Sequence, residues 1–160
     1  MNTGSDHEIF LQHAIELALS NVESGEGGPY GAVIVKNNRV IAASANKVTR
    51  TLDPTAHAEI MAIRAACKEL NDFRLNGCVL YASCEPCPMC LGAIYWARLE
   101  QVYFACNRYD AAAANFDDGF IYAELNLLPS ERRIPMLQLT VPNAETPFLL
   151  WRQKPDKTPY

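Results

Sequence analysis

Apolar residues recur at helical spacing from Ile9 to Val22, which predicts an amphipathic first helix. The stretch SGEGG at 24–28 should end that helix, because its glycines and serine interrupt the pattern. Two apolar runs follow, at 30–35 and 40–46, on either side of an Asn-Asn pair that suits a tight turn. These runs predict a hairpin of two antiparallel strands.

The next part of the chain alternates between helical and strand patterns. A helix is predicted from Asp53, as its cap, to Leu70, because a proline and then regularly spaced apolar residues follow the aspartate. A strand at 78–83, a helix at 88–97 and a strand at 101–106 form a βαβ unit, whose two strands must be parallel. A parallel pair beside an antiparallel hairpin predicts an α/β fold with a mixed sheet.

Beyond residue 106 the predicted elements become short. The pattern indicates helices at 109–114 and 120–125 and a last strand at 134–141. Six of the ten prolines fall between Pro129 and Pro159, and this density favours extended segments and short elements over a long terminal helix.

Composition limits the class of protein and of partner. A chain of 160 residues that is 49% hydrophobic can bury one core, so residues 1–160 are interpreted as a single domain. The formal net charge of −4 provides no general positive potential for nucleic acid and favours a small ligand of little charge. No apolar run approaches the roughly 20 residues that cross a membrane. Six cysteines without a secretion-type N-terminus favour free or metal-bound thiols in the reducing cytoplasm.

Three residues with metal-binding side chains lie at two predicted helix starts. Pro88 suits the first position of a helix, which puts Cys87 at the cap and Cys90 one turn further. A helix N-terminus favours thiolates, the form in which cysteine binds zinc. With His57 from the other helix start, these cysteines are candidate ligands for one zinc ion. Three protein ligands leave one tetrahedral position for water, as in catalytic zinc sites.

Cys84 also stands three positions before Cys87 and leaves a second possibility open. With the three candidate ligands it would form a closed structural site without chemistry. Its place in extended chain, before Glu85 and Pro86, favours a buried thiol instead. The remaining cysteines lie in apolar contexts and are interpreted as small core residues: Cys67, Cys78 and Cys106.

Glu59 would have a function in a catalytic site that a structural site does not require. A carboxylate beside a zinc-activated water can take its proton and pass it to a ring nitrogen and a leaving amine. Residues two apart on an ideal helix project about 200° apart. His57 must therefore lie in an irregular first turn if both side chains face one metal. The alternative interpretation of Glu59 is a glutamate that the helix dipole favours in the first turn, but the three candidate ligands beside it favour the catalytic role.

The sequences HAE at 57–59 and PCPMC at 86–90 resemble the zinc-dependent cytidine deaminase-like superfamily. This resemblance implies a three-layer α/β/α fold around a mixed five-stranded sheet, with one zinc ion per chain. Within the superfamily the chain is most similar to the bacterial guanine deaminases, through the stretches 27–35, 53–59, 83–98 and 116–118. That similarity implies hydrolysis of guanine to xanthine and ammonia by attack at C2 of the purine.

The same resemblance implies which residues contact the purine. They are Tyr30, Asn46, Ala58, Asp118 and Tyr160, and Asp118 would also share proton transfer with Glu59. The sequence leaves different roles open for three of them. Tyr30 is compatible with the core of the sheet, Asn46 with a turn, and Asp118 with the N-cap of the helix that follows it.

The aromatic terminus resembles a tail that, in the guanine deaminases, crosses to a partner subunit. The resemblance therefore implies a homodimer that exchanges residues 152–160 and covers a neighbour's site with Tyr160, although a frayed tail would have the same sequence.

The zinc motif is also compatible with a tRNA adenosine deaminase, with a deaminase of guanosine or cytosine, and with a binding module that holds a structural zinc. RNA binding requires a basic face, which the acidic composition does not favour. The binding module leaves Glu59 without a function. A deaminase of a small purine base is therefore the predicted activity.

Overall fold

The computed structural model describes residues 4–160, with side chains from Asp6 onward, so residues 1–3 of the predicted domain lie outside the described residues. The chain forms two compact units, of which the first ends at Phe120 and the second is Ile121–Tyr160. The single domain stays a prediction. Within residues 4–160, none of the helices combines the length and the apolar character that crossing a membrane requires.

A mixed sheet forms the centre of the first unit. Its strands are β1 (Gly31–Lys36), β2 (Arg39–Ala45), β3 (Cys78–Cys84) and β4 (Gln101–Cys106), in the order β2-β1-β3-β4. β1 is antiparallel to both β2 and β3, and β3 is parallel to β4, which confirms the predicted hairpin and βαβ unit. Asn37 and Asn38 have φ angles of 50° and 59°, the left-handed conformation that a two-residue hairpin turn requires.

Helices cover both faces of this sheet. The helices of residues 4–160 are, in chain order, α1 (Gly4–Glu23), α2 (Val48–Thr51), α3 (Ala58–Leu70), α4 (Pro88–Trp96), α5 (Arg108–Ala113), α6 (Gly119–Leu125) and α7 (Thr146–Gln153). Of these, α1 packs on one face of the sheet, and α3 and α4 pack on the other. On one face Ala14 of α1 packs with Val33 and Tyr81. On the other face Ala62 of α3 packs with Ile34. Side chains alternate along a strand, so the two helical layers bury opposite sets of strand residues and give the expected α/β/α architecture.

The helix predicted from Asp53 begins later, at Ala58. The Oδ1 atom of Asp53 accepts hydrogen bonds from the backbone N–H and the hydroxyl of Thr55, at 2.8 and 2.7 Å. Asp53 therefore stabilises a turn before the helix, because its short side chain reaches the backbone two residues on. The short helix α2 before this turn was not predicted.

The prediction of a fifth strand at 134–141 was wrong. Among residues 4–160 the sheet has four strands, and residues 134–141 have irregular backbone. Pro135 removes a backbone donor from this segment and Pro142 directly follows it, which disfavours pairing in a sheet. Within the second unit the preceding residues are held instead to Glu124, whose carboxylate accepts the backbone N–H of Arg133 at 2.7 Å.

Candidate active site

His57 is the N-cap of α3 and not part of its regular turns. Its backbone is extended, with φ −64° and ψ 154°, and its carbonyl accepts the first helical hydrogen bond from Met61 N at 2.9 Å. Glu59 lies in the first turn of the same helix. Two residues at this spacing inside a helix would project their side chains about 200° apart. Because His57 has an extended backbone, its side chain is not bound by that helical angle to Glu59. The expected irregular start is therefore observed.

Cys87 occupies the equivalent position on α4. It is the N-cap, with φ −65° and ψ 169°, and Pro88 is the first helical residue, as predicted. Proline fits there because the N–H it lacks would have no helical partner. Cys90 follows one turn later and is fully buried.

The two helix starts bring three potential ligand atoms together. His57 Nδ1 lies 3.6 Å from Cys87 Sγ and 3.5 Å from Cys90 Sγ, and all three ligand atoms lie within 4.8 Å of one another. Zinc bonds of about 2.0–2.3 Å at tetrahedral angles would separate an imidazole nitrogen from a thiolate sulfur by about 3.5 Å. One nitrogen and two sulfurs also form a donor set that zinc prefers. The residues present fit a zinc ion.

The two cysteines differ strongly in their electrostatics. A hydrogen bond with Cys90 lowers the pKa of Cys87 to about 4, and the same bond raises the pKa of Cys90. The pair thus holds one proton between its two sulfurs. Both sulfurs ligate as thiolates, so a dication would displace this proton on binding.

Cys84 lies outside the group of ligand atoms found in residues 4–160. It is the last residue of β3, its thiol lies 3.5 Å from the carbonyl oxygen of Asn107, and burial raises its pKa to about 11. These features favour a protonated structural thiol. Cys78 is a core residue as predicted, whereas the prediction for Cys106 was wrong because it is exposed on the edge strand β4.

Glu59 is a buried carboxylic acid beside the ligand group. It is only 6% exposed, and burial raises the pKa of its carboxyl group. The negative Cys87 sulfur raises this pKa further, while the nearby His57 lowers it. A carboxyl group with a raised pKa is a stronger base than a solvent-exposed glutamate.

An aromatic pair lies on another side of the site. The rings of Tyr30 and Phe116 meet edge to face, with centroids 5.3 Å apart. The pKa of Tyr30 is raised, first by burial and further by nearby acidic groups that include Glu59 and Asp118. The phenol therefore stays protonated and faces the acidic side chains. Phe116 was missed as a site residue, although the stretch FDD at 116–118 contained the signal.

Asp118 is half-buried, and its neighbour Asp117 makes a hydrogen bond at the start of α6. The carboxylate of Asp117 accepts the backbone N–H of Gly119 at 2.8 Å, at the start of α6. Partial burial raises the pKa of Asp118, and the negative Cys87 sulfur raises it further. Asp118 is therefore electrostatically coupled to the ligand group, whereas Asp117 makes the local turn.

The other three predicted contact residues differ in their surroundings. Asn46 is buried, and its Oδ1 accepts the backbone N–H of Val48 at 3.1 Å, so the expected turn role is present. Ala58 is fully buried in the first turn of α3. Tyr160 belongs to the second unit, where it is exposed at the end of the chain.

Comparison with known proteins gives a consistent set of relatives. The model of the cytidine and deoxycytidylate deaminase zinc-binding region matches residues 4–106. Guanine deaminase of Bacillus subtilis (strain 168) is 53% identical over 155 residues, which cover 97% of this chain and 99% of the relative. The X-ray structure of guanine deaminase from Bacillus subtilis aligns with a TM-score of 0.95 at 52% identity, over 100% of this chain and 99% of that one.

A second activity occurs among the relatives. The tRNA-specific adenosine deaminase of Aquifex aeolicus (strain VF5) is 46% identical over 98 residues, which cover 61% of this chain and 64% of the relative. The sequence identity is comparable to that of the Bacillus guanine deaminase, but the aligned segment is much shorter. The Aquifex relative therefore matches a much smaller part of the chain than the guanine deaminase of Bacillus subtilis does.

Proposed function

The chain belongs to the cytidine and deoxycytidylate deaminase zinc-binding family, and we propose that it hydrolyses guanine to xanthine and ammonia. The observation that carries this proposal is the similarity to guanine deaminase of Bacillus subtilis over 97% of the chain. The family match ends at residue 106 and so excludes Asp118 and Tyr160. The match to the guanine deaminase structure includes these two proposed substrate contacts, so it supports the choice of substrate as well as the deamination chemistry.

We assign His57, Cys87 and Cys90 as the ligands of one zinc ion. When bound, zinc supplies Lewis acidity and brings the pKa of a water molecule close to neutrality. The interatomic distances of 3.5 and 3.6 Å around His57 Nδ1 support this assignment. Both cysteines must be deprotonated to bind zinc: the pKa of Cys87 is already lowered, whereas the pKa of Cys90 is raised, so its proton is the one that the metal displaces.

Glu59 is assigned as the residue that moves protons. One of its carboxylate oxygens takes a proton from the attacking water and gives it to the ring nitrogen beside C2. The second proton of that water is then passed from the new C2 hydroxyl to the leaving amine, and a C2=O group remains. A C–O bond forms at C2, the C2–N bond to the amino group breaks, and ammonia leaves without any change of oxidation state. Burial supports this role because it makes the carboxylate more basic.

Four residues of the first unit are assigned to the purine. Asn46 donates from its Nδ2, since its Oδ1 already accepts the Val48 N–H. Ala58 donates its backbone N–H, at a helix N-terminus where such groups have no helical partner. Asp118 accepts from the amino group that leaves, and the ring of Tyr30 forms a wall of the pocket.

The proposal extends to assembly and compartment. We infer a cytoplasmic homodimer in which residues 1–160 form one domain and the tail 152–160 exchanges, with Tyr160 over the neighbour's site. The exposed aromatic side chain of Tyr160 supports this, because aromatic groups gain from burial. Exchange between identical chains replaces contacts within one chain by the same contacts across two.

A panel of substrates tests the proposal. The purified zinc-loaded protein is incubated separately with guanine, guanosine, adenine, cytosine and a tRNA anticodon stem, and ammonia is measured. We expect release from guanine at a kcat/KM at least tenfold above that for each of the remaining substrates. Preferential deamination of the tRNA stem would instead favour the function of the Aquifex relative, and the formal net charge of −4 argues against that outcome.

A further inference from the structure

Asn21 is a buried polar residue in the last turn of α1, and the proposed mechanism does not use it. Its side chain is 6% exposed. Its Nδ2 atom donates two hydrogen bonds, to the carbonyl oxygens of Gly28 at 2.8 Å and Asn46 at 2.9 Å. One carboxamide thus joins a helix, a glycine-containing loop and the end of β2.

These bonds belong to a closed ring that includes two of the assigned purine contacts. Tyr30 N donates to the Gly28 carbonyl at 2.8 Å, and Asn46 N donates to the Tyr30 carbonyl at 3.0 Å. The Asn46 carbonyl then accepts from Asn21, which completes the ring. The backbone positions of Tyr30 and Asn46 are therefore fixed to each other and to Asn21.

The local sequence explains why the loop passes beside Asn21. Gly25 has a φ of +71°, and the N–H groups of Gly25 and Glu26 bond back to the Val22 and Asn21 carbonyls at 3.0 and 3.1 Å. This is the pattern of a Schellman helix end, which turns the chain back along the helix.

At Gly27 the loop lies very close to Asn46 and to the Asn21 side chain. A Cβ atom at residue 27 would lie 2.6 Å from the Asn46 carbonyl oxygen and 2.8 Å from Asn21 Nδ2. Contacts of this length require the backbone of residue 46 or the Asn21 side chain to move. A glycine at this position is therefore a condition of the ring.

We propose that Asn21 is a positioning residue for the purine, which it does not itself contact. By holding the Gly28 and Asn46 carbonyls, it sets the separation between the Tyr30 ring and the Asn46 carboxamide. This inference rests on the proposed function, because that function assigns both residues to the substrate. Small displacements of substrate-positioning groups are costly, since binding depends on their geometry.

The test compares steady-state kinetics of Asn21→Ala and Gly27→Ala with the parent enzyme. Gln12→Ala is the matched control, because it makes the same change from amide to methyl on the exposed face of the same helix. We expect KM for guanine to rise roughly tenfold in both test variants with kcat changed much less. The dissociation constant of the product xanthine should rise by a similar factor, and zinc content and the control should stay at the parent values.

The experiment distinguishes failure of the positioning role from failure of the proposed function. Unchanged KM and xanthine affinity in either folded, zinc-loaded test variant would overturn the positioning role, even if its melting temperature fell. If Asn21→Ala does not fold, Gly27→Ala decides the question, because it displaces the same carbonyl from the loop side. A parent enzyme that does not deaminate guanine would contradict the proposed function, and the same comparison would then use the base that the parent does deaminate.

Discussion

The Nδ1 atom of His57 lies 3.6 Å from the Sγ atom of Cys87, although the two residues are 30 positions apart in the chain. Each residue is the extended N-cap of a helix, and both helices pack on the same face of the sheet. The ligand geometry therefore depends on how α3 and α4 pack against that face.

Replacing Cys90 should remove the zinc site, whereas replacing Cys84 should keep it. Cys90→Ala deletes a sulfur 3.5 Å from His57 Nδ1, while the Cys84 sulfur is directed to the Asn107 carbonyl. Metal analysis of both purified variants checks this. About one zinc per chain is expected for Cys84→Ala and close to none for Cys90→Ala, and the reverse result would change the assigned ligand set.

Glu59→Gln should abolish most activity with little effect on zinc content or fold. The amide is nearly isosteric with the carboxylate but cannot accept the proton of the attacking water. Turnover of guanine should fall at least roughly 10²-fold, the usual contribution of a general base. Glu69→Gln is the control, because it makes the same change on an exposed face of α3. Near-normal turnover by Glu59→Gln would remove this residue from the mechanism.

Asp118→Asn should lower kcat/KM for guanine by roughly tenfold or more, because it removes a charged hydrogen-bond acceptor from the amino group. Asp117→Asn serves as its control, since asparagine can still accept the Gly119 N–H that Asp117 binds. Steady-state kinetics and zinc analysis of the two variants check the prediction. Equal kinetics in both would return Asp118 to a structural role.

Removing residues 154–160, after the end of α7 at Gln153, should impair catalysis more than folding. The tail is proposed to exclude water from a neighbour's site, and excluding water strengthens the interactions that act on the reacting groups. Activity, melting temperature and oligomeric state are measured for the truncated and full-length chains. A truncated enzyme with parental kcat/KM would remove Tyr160 and the tail from the active site.

Local signals allowed much of the central fold to be predicted. Pro88 located the start of α4, and the Asn37-Asn38 turn located the hairpin, because both residue types act through their own backbone preferences. The irregular start of α3 followed from requiring His57 and Glu59 to face one metal. The predictions of the α4 start and of the hairpin needed no knowledge of distant contacts.

The errors arose where distant contacts or competing local signals decide the structure. Asp53 is a good helix cap by type, but its side chain binds Thr55 and the helix starts at Ala58. The apolar run at 134–141 resembles a strand, yet pairing depends on backbone partners that the run itself does not specify. Asn21 was missed for the same reason, since its partner Asn46 lies 25 residues away.

The most direct test of the central claim follows the oxygen and the nitrogen together. Zinc-loaded protein is incubated with guanine in ¹⁸O-labelled water, and xanthine is analysed by mass spectrometry while ammonia is measured in the same sample. Hydrolytic deamination predicts one ammonia for each guanine consumed and one labelled oxygen, at C2, in each xanthine, with little product from Glu59→Gln. Stable guanine and no ammonia in protein that contains a full complement of zinc would contradict the account.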